Sequence, residues 1–167
     1  MKFTVHGHYD VDVDTFWEQV FFNDDFINVL YQEGGMFESF RVINESVGPD
    51  GKREKTVEAK PALSLPKVLK AHLGDGIVFF EEGKFDPSRK IWRTQLRIPQ
   101  VGDRISIQTV MHFENTGPQQ CERTVEFDLR VNLFGVGKLV ERFIQKTLVD
   151  SYEHARIITN QWTKANL

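Results

Sequence analysis

The sequence predicts an α+β fold, with about seven strands of a curved antiparallel sheet wrapped around one long C-terminal helix. Two short helices follow the first strand, and a short lid helix interrupts the later ones. Three observations predict this. Six strand-like runs are joined in pairs by turn residues. One continuous helical stripe ends the chain. An apolar sheet face must be covered, and only that last helix is long enough to cover it.

The first run, KFTVHGHY, alternates Phe3, Val5 and Tyr9 with Thr4, His6 and His8, the period of a strand. Thr15 and Glu18 then form a T-x-x-E capping box at the start of a helix whose buried face is Phe16, Val20 and Phe21. A second short helix follows Asn23-Asp24-Asp25 and ends at Gly34-Gly35. Three hairpins come next. Their turns are Gly48-Pro49-Asp50-Gly51, Asp86-Pro87-Ser88 and Asn115-Thr116-Gly117-Pro118. Between the first two, SLPKVLKAHLG places Leu65, Val68, Leu69 and Leu73 at helical spacing after Pro66. After Gly137 a long helix carries Val140, Phe143, Ile144, Leu148, Ala155, Ile158 and Trp162 on one stripe.

The chain of 167 residues suits one domain, residues 1–167. A net charge of −3 offers no basic footprint for nucleic acid. One cysteine, Cys121, excludes an internal disulfide. The start shows no basic region followed by an apolar block, and no apolar run approaches the ~20 residues of a membrane span. A soluble, cytoplasmic domain is the expectation.

Several motifs suggest chemistry and then fail on spacing. NLFGVGKL mimics a phosphate-binding loop, yet Asn132 stands where its first glycine belongs and Leu139 where its hydroxyl belongs. Gly135 and Gly137 read better as the turn from sheet into helix. Asp10 to Asp14 mimics a calcium loop, but Thr15 and Phe21 occupy its required Gly and Glu positions. His6 and His8 share a strand face without a third protein ligand in sight, so no metal is expected. Cys121 has no nucleophile signature around it, and no catalytic residue or cofactor is assigned.

The strand faces expected to point inward are nearly all apolar. They run Trp92, Thr94, Leu96, then Ile107, Thr109, Met111, then Phe127, Leu129, Val131. With Phe143, Ile144 and Leu148 of the helix they could fill a solid core or line a cavity, and periodicity does not separate the two.

A resemblance favours the cavity. LPKVLKAHLG, DPSRK, the strand running into GVGKLVERF, and the helix ending in NQW make the chain resemble the START-like (helix-grip, SRPBCC) superfamily over nearly its whole length. Within it the chain is similar to PRELI/MSF1-type phospholipid-transfer proteins and to uncharacterised bacterial START-like families. The resemblance implies a deep pocket between sheet and helix and non-enzymatic binding of a hydrophobic ligand, most simply a lipid. Lipid transfer with transient membrane contact is the further expectation. The segment with Leu65, Val68, Leu69 and Leu73 would then gate the pocket or plug it. Lys60, Lys67, Lys138 and Lys146 are the candidates for a lipid head group. Two alternatives stay open. One is an enzyme of the polyketide cyclase/aromatase kind, for which His112 and Glu81 are the acid–base candidates. The other is a protein-interaction domain with a filled core.

Overall fold

A computed structural model describes residues 1–74 and 76–167. The strands β1 (Lys2–Tyr9), β2 (Phe37–Val47), β3 (Arg53–Pro61), β4 (Phe79–Asp86), β5 (Ile91–Arg97), β6 (Ile105–Gly117) and β7 (Gln120–Val131) form a seven-stranded sheet. Its order is β1-β7-β6-β5-β4-β3-β2, and every neighbouring pair is antiparallel. The three expected hairpins are β2–β3, β4–β5 and β6–β7. Gly51 takes the left-handed φ of +76° that the first turn requires. In the second turn the Asp86 carboxylate accepts the Ser88 amide at 3.0 Å and its hydroxyl at 2.7 Å.

The helices are α1 (Val13–Thr15), α2 (Asp24–Asn28), α3 (Lys67–Leu73) and α4 (Gly137–Asn166). The first two widen into π-helical turns over Phe16–Phe21 and Val29–Glu33. The expected Thr15–Glu18 capping box does not form. Asp12 caps α1 instead, accepting the amides of Asp14 (3.0 Å) and Thr15 (3.1 Å) on Oδ1. The Thr15 hydroxyl donates to the other oxygen at 2.7 Å, and these bonds hold the Asp12 carboxyl below its usual range. With the helix started at Asp12, Thr15 already has helical backbone angles and its hydroxyl is spent as a donor to Asp12, so it cannot serve as a cap. Asn23 caps α2 in the same way, through Asp25 (2.9 Å) and Phe26 (3.2 Å).

Between β7 and α4, Gly135 adopts φ +75°, while Gly137 simply opens the helix. The end of the sheet near β1 and β7 is solid. There Tyr9, Phe16, Trp17 and Phe113 pack as one aromatic cluster, with Phe16 and Phe113 only 4.2 Å apart. Arg123 of β7 is buried beside it, its guanidinium 5.2 Å from the Tyr9 ring and 4.7 Å from the Tyr152 ring. Towards β2 the helix and sheet separate. Of the apolar stripe on α4, only Val140 is fully buried; Phe143, Ile144 and Leu148 stay half-buried. They face a space that the protein leaves unfilled.

No helix among the described residues is long and apolar enough to cross a membrane.

Candidate functional site

That space is a cavity of about 570 Å³ between the concave sheet face and α4, where the alternative left open was a filled core. Its volume lies within the range of small-molecule sites, roughly 300–1,000 Å³. The sheet wall follows from strand alternation. On β5 and β6 the inward residues Trp92, Thr94, Leu96, Ile107, Thr109 and Met111 all line it, as does Phe127 on β7. Phe143, Ile144 and Leu148 form the helix wall, and Leu69 and Leu73 of α3 close one side.

Four residues from the expected set lie elsewhere. Leu129 and Val131 continue the inward row of β7 but do not line the cavity, and Leu129 is completely buried. Leu65 is buried in the core and Val68 packs against it; neither lines the cavity. None of the four candidate lysines lines it either. Lys60 alternates with the lining residues Ala59 and Pro61 and pairs with Glu38. Lys146 pairs with Asp150 one helical turn on, while Lys67 and Lys138 are exposed at helix starts. The lining residues Gly35, Ala62, Asp150 and His154 are exposed and mark the mouth. Across it, His154 Nε2 lies 3.0 Å from the Gly34 carbonyl oxygen.

The polar groups of the lining are few. The Thr94 and Thr109 hydroxyls, opposite each other in register, satisfy one another at 2.7 Å. Tyr31 and Tyr152 bring phenols whose pKa values burial pushes well up, with the Glu81 carboxylate adding to the effect. Lys55 lines the cavity from β3 and engages Glu45 at 3.7 Å.

Glu81 is the exception in this wall. It pairs in register with Val57 on β3 and Leu96 on β5, both lining residues, so its side chain shares their inward face. Its neighbour Glu82 faces outward and reaches Arg97 at 3.3 Å. Burial alone pushes the Glu81 carboxyl up to about 7, because a charge inside an apolar wall loses its hydration. The other acid–base candidate, His112, lies on the opposite face from the buried, lining Met111.

Sequence reasoning missed much of the aromatic wall: Phe21, Phe22, Phe26, Tyr31, Phe37 and Tyr152 all contribute. The remaining motifs have structural roles. His6 and His8 are exposed and flank one carboxylate, Glu122, at 3.3 and 3.2 Å. The Cys121 thiol is fully buried, and burial pushes it up to about 12, which keeps it protonated and inert.

A family profile described as "Protein of unknown function (DUF2505)" matches residues 4–163. No curated protein matches the chain. Among solved structures, the chain is similar to a START superfamily protein from Mycobacterium smegmatis, at 15% identity and TM-score 0.63, over 96% of this chain and 98% of that one. It is similar to norcoclaurine synthase from Thalictrum flavum in complex with dopamine and hydroxybenzaldehyde, at 15% identity and TM-score 0.66, covering 100% and 89%. The Zhui aromatase/cyclase from Streptomyces sp. R1128 follows at 10% identity and TM-score 0.59, covering 93% and 91%. At such identities the likeness is one of fold.

Proposed function

The chain belongs to the family described as Protein of unknown function (DUF2505) and has the START-like, helix-grip fold, and on these premises we propose that residues 1–167 act as one domain that binds a hydrophobic ligand in the cavity. In this reading the ligand is most simply a lipid. The domain works in the cytoplasm without a cofactor and carries its ligand between membranes through transient contact. One observation supports binding above the rest: an apolar stripe on α4 and an apolar sheet face stand apart over about 570 Å³. Unfilled apolar surface forfeits dispersion contacts that a guest restores. Each CH₂ of such a guest moved out of water contributes about 0.8 kcal/mol.

The test is to purify the chain from its own host, record native mass spectra and identify extracted lipophiles. A bound lipophile that is lost in Leu148→Trp, which places an indole in the cavity, supports the reading. A wild-type chain that arrives empty and binds no neutral hydrophobe refutes it. Transfer is tested separately, by moving the identified lipid between donor and acceptor liposomes.

Glu81 favours a second reading, acid–base chemistry on the bound ligand. A carboxyl with a pKa near the working pH can both give and take a proton. The aromatase/cyclase and norcoclaurine synthase neighbours make this an enzyme reading of the same cavity. Conversion of the extracted ligand by wild type and its absence in Glu81→Gln would favour it over carriage.

A further inference from the structure

We propose that Glu81 makes the cavity selective for hydrophobic amines, molecules with an apolar body and one protonated nitrogen. The proposal rests on the ligand-binding reading above and names the class of ligand. Glu81 makes no hydrogen bond or ion pair with any described residue, and it faces the cavity from the middle of its sheet wall.

The other charged groups of the lining already have partners. Lys55 on β3 sits opposite Gly83, two residues along β4 from Glu81, and is engaged by Glu45. Asp150 on α4 is engaged by Lys146, and His154 on the same helix meets the Gly34 carbonyl. Tyr31, beyond α2, and Tyr152, on α4, hold their protons throughout the neutral range, and Arg123 stacks on the far side of Tyr152. Glu81 is therefore the charged lining residue left to meet a ligand, among the described residues.

A buried carboxylate without a partner is costly, and a cationic nitrogen is the ligand group that relieves it most. The walls around Glu81 suit the same ligand. Trp92, Tyr31, Phe79 and Phe127 line the same cavity, and aromatic rings attract cations through their quadrupoles. A neutral hydrophobe gains only from the walls; an amine gains from walls and carboxylate together.

The amine should bind through the ionised carboxylate, so its advantage should fall as pH drops below about 7 and Glu81 takes up a proton. A Glu81 variant isolates the carboxylate's share from that of the other lining groups.

The experiment measures binding of 2-(1-naphthyl)ethylamine and 2-(1-naphthyl)ethanol, which share one body, to the full chain at pH 8 and pH 5.5. Wild type should bind the amine about tenfold or more tighter than the alcohol at pH 8, and less selectively at pH 5.5. Glu81→Gln should bring the two affinities within about twofold at both pH values while still binding the alcohol. The apolar Glu81→Met should behave in the same way. If wild type binds the alcohol but prefers the amine no more than Glu81→Gln does, the amine proposal fails and the cavity reading stands. If neither compound binds wild type, both fail.

Discussion

Gly83→Ala is a substitution for which general propensity and this structure predict opposite signs. Gly83 lies inside β4 with no left-handed φ. At such a site alanine ordinarily stabilises by about 0.4–1 kcal/mol, because it restricts the unfolded chain. Here the added Cβ would lie 1.9 Å from Cζ2 of Trp92, and 2.6 and 2.7 Å from two further ring atoms. Reaching an ordinary contact of 3.4 Å requires the ring to retreat by 3.4 − 1.9, about 1.5 Å. Trp92 is only 6% exposed and packs edge-on against Phe21 at 5.2 Å, so it cannot retreat without disturbing that neighbour or intruding on the cavity. Overpacking of this kind costs about 1–3 kcal/mol, which at this chain length lowers the melting temperature by roughly 2–12 °C. Calorimetric melting of Gly83→Ala, with Trp92→Leu and the double variant, measures it. In the Trp92→Leu background, Gly83→Ala should be neutral or stabilising. A cost that is equal in both backgrounds, or a gain in the wild-type background, would refute the reasoning.

Two further predictions concern the polar groups of the cavity. Glu81 keeps its proton in the folded chain up to about pH 7 but loses it near 4.5 when unfolded. The folded state therefore binds more protons in that window, and its stability falls as pH rises from about 4.5 to above 7. Chemical denaturation of wild type and Glu81→Gln across this range should diverge by on the order of 3 kcal/mol in favour of the variant at pH 8, and converge at pH 4. For the threonine pair, Thr94→Val or Thr109→Val alone strands a buried hydroxyl and should cost about 1–3 kcal/mol, whereas the double valine variant should lie closer to wild type than either single, as read by thermal melting.

The architecture was legible in the sequence because its signals are local. Turn residues at Gly48–Gly51, Asp86–Ser88 and Asn115–Pro118 determine the hairpins, and period-2 alternation orients β5, β6 and β7. The cavity was less legible. Phe143, Ile144 and Leu148 show the same stripe whether they meet side chains or empty space, since periodicity reports direction and says nothing of distance. The short-helix aromatics Phe21, Phe22 and Tyr31 were missed for a related reason. Phe21 and Tyr31 sit in π-helical turns and Phe22 directly follows the first, a geometry for which the local sequence carries no clear signal. Glu81 stands out in the sequence as an acid–base candidate, but which of the two adjacent glutamates in FFEEG faces inward depends on register with β3 and β5. Of the four lysines, Lys60 and Lys146 meet carboxylates on their own surface, Glu38 and Asp150, a pairing that sequence spacing alone does not reveal.

The pairing of β1 with β7 has a consequence for how the molecule is made. Tyr9 is the last residue of β1 and Gln120 the first of its partner, so 120 − 9, or 111, residues must leave the ribosome before the two can meet. At 5–20 residues per second that is a wait of roughly 6–22 s with the first strand unpaired. The cavity acquires its roof later still, from Gly137–Asn166. A nascent chain is thus an uncovered greasy trough until Gly137–Asn166 docks, and the enclosed cavity exists only once that helix has been made.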